Sequence, residues 1–289
     1  MLEEVIEYLN LKPGQCILDA TCGGGGHTEE IAKRILPGGK LIAVDKDLEA
    51  IERVKGKLKE YKDNIVFVNS DFKEISKILK EADEAFLDGA VFDLGFSSFQ
   101  LEDSGRGLSF LKDGFLDMRF DKNIQITAFN VINEASREEL ADIIYKYGEE
   151  RYSRLIANAI YDCRKNKKIS TTLELVDIIE SSVGRKYRNQ RIHSACRTFQ
   201  ALRIFVNDEL GSLEEALNSV ISKLKVGGRL CFISFHSLED RIVKEHFKKY
   251  KMTGEIKILT KKIITPSREE VRENSRARSA KLRVAEKIL

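Results

Sequence analysis

The stretch Cys16-Ile17-Leu18-Asp19-Ala20-Thr21-Cys22-Gly23-Gly24-Gly25-Gly26-His27 decides how this chain is read. It begins as an apolar strand, closes that strand on an acid, turns on four glycines and enters a helical pattern. Consecutive glycines let the backbone take positive φ and approach a ligand with no Cβ in the way. The helix that follows presents unpaired N–H groups and the positive end of its dipole. Leu41-Ile42-Ala43-Val44-Asp45 is a second apolar strand ending in an acid, about twenty residues on and placed for ribose hydroxyls. A nucleotide-like cofactor suits this arrangement.

The glycine spacing narrows the choice of cofactor. A dinucleotide fold wants G-x-G-x-x-G, its third glycine allowing helix and strand to pack closely. Counted from Gly23 or from Gly24, that third place holds Thr28 or Glu29. No Lys-Ser or Lys-Thr follows the glycines, so a phosphate loop of the G-x-x-x-x-G-K-[ST] type is absent. Asp-x-x-x-Gly-x-Gly, from Asp19 through Gly23 to Gly25, does fit. It resembles motif I of Rossmann-like S-adenosylmethionine-dependent methyltransferases.

With 289 residues, 42% of them hydrophobic, the chain is long enough for one large or two modest domains. No apolar run reaches membrane-spanning length, and the first residues lack the basic and apolar regions of a signal peptide. Cys16, Cys22, Cys163, Cys196 and Cys231 are odd in number and form no Cys-x-x-Cys pair. That argues against a zinc site or disulfide framework and for a reducing cytoplasm, with no metal expected. Residues 261–289 carry nine Lys/Arg against four Asp/Glu, and residues 181–206 carry six Lys/Arg and no acid. Two basic stretches on a chain of net charge +3 suggest a polyanionic partner, most simply nucleic acid.

Strand and helix patterns alternate over the first hundred residues. Strands are predicted at 16–22, 40–46, 65–70 and 89–96, with helices at 28–36, 48–61 and 72–82 between them. Such alternation means an α/β fold with a parallel sheet covered by helices. Asp19, Asp45, Asp71 and Asp93 then fall at the carboxyl edge, where these sheets bind ligands. Residues 101–123 read as a loop and 127–183 as helices, with Thr127 and Ser136 as N-caps. After a turn at Leu224-Lys225-Val226-Gly227-Gly228, strands at 229–235, 255–262 and 281–288 and a helix at 239–250 complete the sheet. The expected organisation is a methyltransferase-type domain, 1–103 with 204–289, interrupted by a loop and helical insertion at 104–203.

Asp93-Leu94-Gly95-Phe96-Ser97-Ser98 closes the fourth strand, an edge that the resemblance to such methyltransferases implies lies beside the cofactor's reactive methyl. The Asp/Asn/Ser-Pro-Pro-Tyr/Phe tetrapeptide usual in DNA amino-methylating enzymes is absent. No cysteine follows a proline, so covalent attack on a cytosine ring is disfavoured. Further segments carry a specific resemblance: Asp93-Leu-Gly-Phe-Ser-Ser-Phe-Gln100, Arg106-Gly-Leu-Ser-Phe110, Leu116-Asp-Met-Arg119 and Tyr147-Gly-Glu-Glu-Arg-Tyr-Ser153. They continue with Arg197-Thr-Phe-Gln-Ala-Leu-Arg203, Ile233-Ser-Phe-His-Ser-Leu-Glu-Asp-Arg241, Pro266-Ser267 and Arg276-Ala-Arg-Ser-Ala-Lys-Leu-Arg283. With the glycine turn, they make the chain resemble the bacterial small-subunit ribosomal RNA cytosine-N4 methyltransferases, the RsmH (MraW) family, over nearly its whole length.

The resemblance implies a Rossmann-like fold with an all-helical insert, S-adenosylmethionine as cofactor, and methyl transfer to the exocyclic N4 of a cytidine in 16S ribosomal RNA near the P site. It implies the small ribosomal subunit as partner, with no membrane or DNA, and cofactor contacts at Gly25, Gly26, His27, Asp45, Phe72, Asp93 and Gln100. The glycine backbone and His27 would face the methionine part, Asp45 the ribose, Phe72 the adenine. Asp93 would accept from the methionine ammonium or from the substrate amine. Asp93 or Asp117 is the candidate acceptor in catalysis, with His236 near the base. Asp117 has the alternative of pairing with Arg119 or Arg106 to fasten the loop, and His236 that of serving a helix start. Phe96 and Phe99 are candidates for stacking a flipped cytosine or for the core. Arg185, Lys186, Arg188, Arg191, Arg197, Arg276 and Arg278 would contact RNA phosphates, and Tyr187 would offer a stacking face. Lys281 and Arg283 would do the same or form the outward face of an edge strand.

The family's usual His-x-Pro-Val lead-in is absent before Leu2-Glu3-Glu4-Val5, so either a piece of the pocket is missing or the true start lies upstream. Phe115, Ser194 and Ser275 stand where the family has proline, which alters loop stiffness more than chemistry. Two other functions remain open at this level: a non-catalytic S-adenosylmethionine-binding ribosome-assembly factor, and a DNA amino-methyltransferase.

Overall fold

The computed structural model describes residues 1–184, 187 and 192–289. Seven strands form one sheet: β1 (Cys16–Asp19), β2 (Lys40–Asp45), β3 (Ile65–Asn69), β4 (Leu87–Asp93), β5 (Leu224–Ser234), β6 (Ile256–Ile258) and β7 (Lys281–Lys287). Their order is β3-β2-β1-β4-β5-β7-β6. β1 to β5 run parallel to one another, and β7 runs antiparallel to both β5 and β6. The chain steps outward from β1 to β3, then returns to lay β4 on β1's other side. That reversal is the switch point at which open α/β sheets bind ligands.

The strand residues are apolar on both faces because helices cover both. Side chains alternate with a period of two. Leu18, Ile42, Val44, Phe92 and Phe232 enter one core, against the helices Ile75–Glu81, Glu209–Lys223 and Ser237–Met252. Ile17, Leu41, Ala43, Val91 and Ile233 enter the other, against Leu2–Leu9, Gly26–Ile35 and Leu48–Lys57. Phe92 and Phe232 sit opposite one another in register, and their rings stack with centroids 4.3 Å apart.

Several predicted boundaries move for local reasons. The first strand stops at Asp19 rather than 22, because the backbone then turns toward the glycines. The helix predicted at 48–61 stops at Lys57 and gives way to a 3-10 turn at Lys59–Tyr61. The helix predicted at 72–82 splits, Asp71 capping a 3-10 turn at Phe72–Glu74 before Ile75–Glu81 begins. The turn expected at 224–228 is the irregular start of β5, where pairing with β4 shifts register and Gly227 takes φ +84°. β7 is interior, with β6 at the edge, so the edge-strand reading of Lys281 and Arg283 is corrected. Arg283 instead forms a two-pronged ion pair with Asp240, at 2.7 and 3.2 Å.

The chain divides into two compact units, Met1–Gly95 with Leu210–Leu289, and Phe96–Glu209. The expected edges at 103/104 and 203/204 lie inside the second unit, whose core takes in Phe96, Leu101 and Phe199, Ala201, Leu202 and Val206 of the helix Cys196–Asn207. That unit is helical: Ala128–Glu134, Arg137–Gly148, Ser153–Arg164 and Thr172–Ser182 precede Cys196–Asn207. Thr127 and Ser136 cap their helices as expected, each in a reciprocal capping box. Leu116, Met118, Ile132, Leu140, Ile156 and Leu202 share its core.

Asn207 ties the long loop to this core. Its Oδ1 accepts the Phe120 N–H at 2.7 Å, and its Nδ2 donates to the Met118 and Arg203 carbonyls at 2.7 and 2.9 Å. Asn207→Ala strands a buried backbone donor and acceptor, so unfolding in urea should show a loss of about 2–3 kcal/mol. A loss below about 0.5 kcal/mol would show that other contacts hold the loop.

Candidate active site

The site is built on the carboxyl edge of β1, β2 and β4. Asp19 ends β1 fully buried. Its Oδ2 accepts from the Thr28 hydroxyl at 2.7 Å and its Oδ1 from the Thr21 N–H at 3.3 Å. The strand's last residue is thereby tied to the first turn of the helix Gly26–Ile35, with the glycine turn bowed between them. Gly23 and Gly25 take φ +48° and +78°. A Cβ on Gly25 would stand 3.0 Å from Val54 Cγ1, whereas one on Gly26 meets no protein atom within 4 Å.

The turn also sets Asp45. Its Oδ2 accepts the Gly23 N–H at 2.9 Å and its Oδ1 the Asp47 N–H at 2.9 Å. Two backbone donors orient this carboxylate at the end of β2.

Asp93 ends β4, its N–H donating to the Thr21 hydroxyl at 2.7 Å. His27 Nδ1 lies 3.6 Å from Asp93 Oδ2. About a third of the Asp93 side chain (33%) remains accessible, so it lines a recess. Its Oδ1 and His27 Nε2 are nonetheless buried with no hydrogen-bond partner. Desolvation pushes the Asp93 carboxyl up to about 7, nearby Glu239 adding to the effect and the N-terminal ammonium opposing it. Burial also raises Asp19 to about 6, against the pull of His27 and of the Thr28 and Thr21 hydrogen bonds, and it lowers His27. Unpaired buried polar atoms are costly unless a ligand satisfies them. A cofactor with an ammonium, a ribose and an aromatic base fits these donors and acceptors and the open ground at Gly26.

Phe72 begins the 3-10 turn after β3, half-buried, its ring edge-on to Phe92 at 5.8 Å. His236 follows β5 and is itself the N-cap of the helix Ser237–Met252. Its Nδ1 accepts the Glu239 N–H at 3.4 Å, and its Nε2 lies 3.1 Å from Glu239 Oε1. Gly25, Gly26, His27, Asp45, Phe72, Asp93 and His236 therefore all belong to the sheet unit and to its carboxyl edge.

Gln100 and Asp117 belong to the helical unit. Gln100 Oε1 accepts the Ser97 N–H at 2.8 Å and completes a capping box. Both Asp117 oxygens are taken by Arg119, from Nε at 2.7 Å and Nη2 at 2.9 Å. Burial favours the neutral acid, but the Arg119 bonds outweigh it and hold the Asp117 carboxyl below its ordinary range. This is the loop-fastening arrangement: Arg119 Nη1 also donates to the Lys122 and Ile124 carbonyls. Phe96 lies under Arg203 at 4.8 Å and packs on the helical core, whereas Phe99 is half exposed.

Among the expected RNA contacts, Arg185, Lys186, Arg188 and Arg191 lie outside the described residues. Tyr187 is buried. Its hydroxyl donates to Glu150 and its ring packs edge-on to Tyr152 at 4.7 Å, so the exposed stacking face expected of it is corrected to a packing role. Arg197 is half-buried and donates to the Glu149 carbonyl at 3.4 Å. Arg276 and Arg278 are exposed on the 3-10 turn Ser275–Ser279 that leads into β7. Cys16, Cys22 and Cys231 are buried, Cys196 is half-buried and Cys163 exposed; none forms a disulfide. No helix among the described residues is long and apolar enough to cross a membrane.

Sequence reading missed Lys46 and Ser212, 166 positions apart yet joined at 3.3 Å beside Asp71. No local pattern signals such a pair. Thr28 was passed over except as a misfit to the dinucleotide spacing; its place in the first helical turn, two residues past the last glycine, is the signal that finds it.

A glycine turn between a buried strand acid and a helix, a ribose-type acid on β2, and a reversed β7 together define a Rossmann-like S-adenosylmethionine-dependent methyltransferase. The model of the MraW methylase family matches residues 1–288, and the chain belongs to that family. It is similar to the ribosomal RNA small subunit methyltransferase H of Finegoldia magna, 45% identical over 305 residues covering 100% of this chain and 97% of the relative. A relative of the same name from a Sulfurihydrogenibium species is 48% identical over 286 residues, covering 99% and 97%. Among solved structures, one described as an rRNA-methylase from Clostridium thermocellum superposes with a TM-score of 0.51 at 14% identity, over 99% of this chain and 97% of that one. That likeness speaks for the fold alone.

Gly26→Ala separates the fold from the ligand. Alanine is favoured over glycine in a helix and meets no protein atom here, so the thermal midpoint should hold or rise. If the cofactor packs against this turn, affinity for S-adenosylhomocysteine, measured by calorimetry, should fall at least about tenfold. Unchanged affinity would move the cofactor away from this turn.

Proposed function

We propose that the chain transfers a methyl group to the exocyclic N4 of a cytidine in 16S ribosomal RNA near the P site, on the assembled small subunit in the cytoplasm. The observation that carries the substrate is the end-to-end match to relatives named ribosomal RNA small subunit methyltransferase H. Family membership disfavours both a binding-only role and DNA as substrate.

S-adenosylmethionine supplies, when bound, a methyl group on a positively charged sulfur. Gly25, Gly26 and His27 bind its methionine end, Asp45 its ribose and Phe72 its adenine. Asp93 is the acceptor for the target amine. The N4 lone pair is conjugated with the cytosine ring, so an acceptor on an N–H favours the pyramidal nitrogen and takes up charge as it develops. Positioning supplies much of the rate, because the reacting atoms must be held in line. The proton leaves late, from a nitrogen already acidified by methylation, so Asp93 need only be ionised and well placed. His27 Nδ1 stands 3.6 Å from Asp93 Oδ2. Arg276 and Arg278 contribute positive charge toward the RNA, and the helical insert serves as the recognition platform.

Small ribosomal subunits lacking the modification, incubated with labelled S-adenosylmethionine and digested to nucleosides, should yield N4-methylcytidine at one position by mass spectrometry. Cofactor binding without transfer would favour the assembly-factor reading.

The Asp93 role has a pH signature. Its carboxyl is raised to about 7, so the ionised acceptor is scarce below that value and dominant above it. Single-turnover transfer should therefore rise with pH through about 7. Asp93→Asn should lower the rate about a hundredfold and abolish the pH step. If the variant instead loses cofactor affinity at an unchanged rate, Asp93 holds the methionine ammonium.

A further inference from the structure

Lys46, Asp71 and Ser212 form a buried polar clasp at the adenine end of the site. Lys46 follows the last residue of β2, Asp71 lies just past β3, and Ser212 is on the helix Glu209–Lys223. Lys46 Nζ is 2.8 Å from Asp71 Oδ2, and the Ser212 hydroxyl donates to the same oxygen at 2.9 Å. Lys46 Nζ also reaches Ser212 Oγ at 3.3 Å. Asp71 Oδ1 accepts the Lys73 N–H at 3.1 Å, and Lys73 Nζ stands 3.9 Å from Oδ2. Ser212 is fully buried, while Lys46 and Asp71 keep only 16% and 18% of their side chains exposed. Charges so covered persist because they are paired and hydrogen-bonded.

The clasp's place in the chain gives it a second consequence. Lys46 is the neighbour of Asp45, the ribose-facing acid, and Asp71 is the neighbour of Phe72, the adenine-facing ring. Asp71 caps the turn that Phe72 begins, so its carboxylate sets where that ring starts. The Lys46 ammonium stands 5.7 Å from the Phe72 ring centroid, within cation–π range. Asn69 Nδ2 adds bonds to the Asp45 and Lys46 carbonyls at 2.9 and 3.0 Å. One ion pair thus fixes the spacing between the two groups that meet the nucleoside.

We propose that Lys46 is a cofactor-positioning residue: through Asp71 and Ser212 it holds Phe72 at the distance from Asp45 that an adenosine requires. The proposal rests on the cofactor reading above and assigns specificity within it.

A double-mutant cycle on Lys46 and Phe72 tests it, with S-adenosylhomocysteine affinity measured by calorimetry and thermal unfolding run alongside. Lys46→Met should weaken binding about tenfold, and Lys46→Arg, which keeps the ion pair, should restore most of it. Lys46→Met combined with Phe72→Ala should bind no more weakly than Phe72→Ala alone, because Lys46 acts through that ring. A merely structural clasp predicts losses that multiply, and that result, or wild-type affinity in Lys46→Met, overturns the proposal. Ser212→Ala, which removes a single hydroxyl, should weaken binding in the same direction and serves if Lys46→Met does not fold. Failure of the wild-type chain to bind S-adenosylhomocysteine would overturn the cofactor reading itself, an outcome distinct from each of these.

Discussion

The Asp19 carboxylate is the pivot of the sheet unit. It sits beneath the glycine turn with no exposure to water, held by the Thr28 hydroxyl and the Thr21 N–H. Burying an acid is unfavourable unless its oxygens are bonded, and these two bonds can form only if strand, turn and helix take one relative placement. The same placement aims the Gly23 N–H at Asp45 and sets the Thr21 hydroxyl under the Asp93 backbone. Three strand ends are thus brought to one edge by a single buried group. The apolar layers on either face supply the bulk of the buried surface, and these bonds add a polar tie at the carboxyl edge.

Burial also explains the chemistry of the recess. Asp19, His27 and Asp93 lie close together, and in each case desolvation is the main perturbation: the two acids are raised, the histidine lowered. All three are pushed toward neutrality, which lets the fold tolerate them without a full complement of counter-charges. The buried Oδ1 of Asp93 and Nε2 of His27 have no hydrogen-bond partner within the protein. By contrast, Asp117 is held ionised by a two-pronged arginine and is committed to its loop. Two acids that look equivalent along the chain are separated by their surroundings.

Much of this was legible along the chain. The α/β class, the seven strands, the caps at Thr127 and Ser136 and the acids at the carboxyl edge all follow from short-range patterns: apolar runs, glycine turns and capping residues act over a few residues. Some element ends moved for local reasons, but three further features depend on distant partners. The place of β7 inside the sheet needs β6, the clasp on Asp71 needs Ser212, and the burial of Tyr187 needs Glu150. His236 shows the division within one residue: its position before a helix was readable, but its use as the cap depended on how its ring turned toward Glu239.

The sequence by itself determined the α/β class, the seven strands in outline and which family the motifs resemble, because periodicity and turn chemistry are local. Only the tertiary structure decided which acids are raised, which are paired, and which polar atoms are left for a ligand. Those properties arise from desolvation and from the partners each group meets, near in sequence for Asp117 and distant for Asp71, and both exist only once the layers have packed.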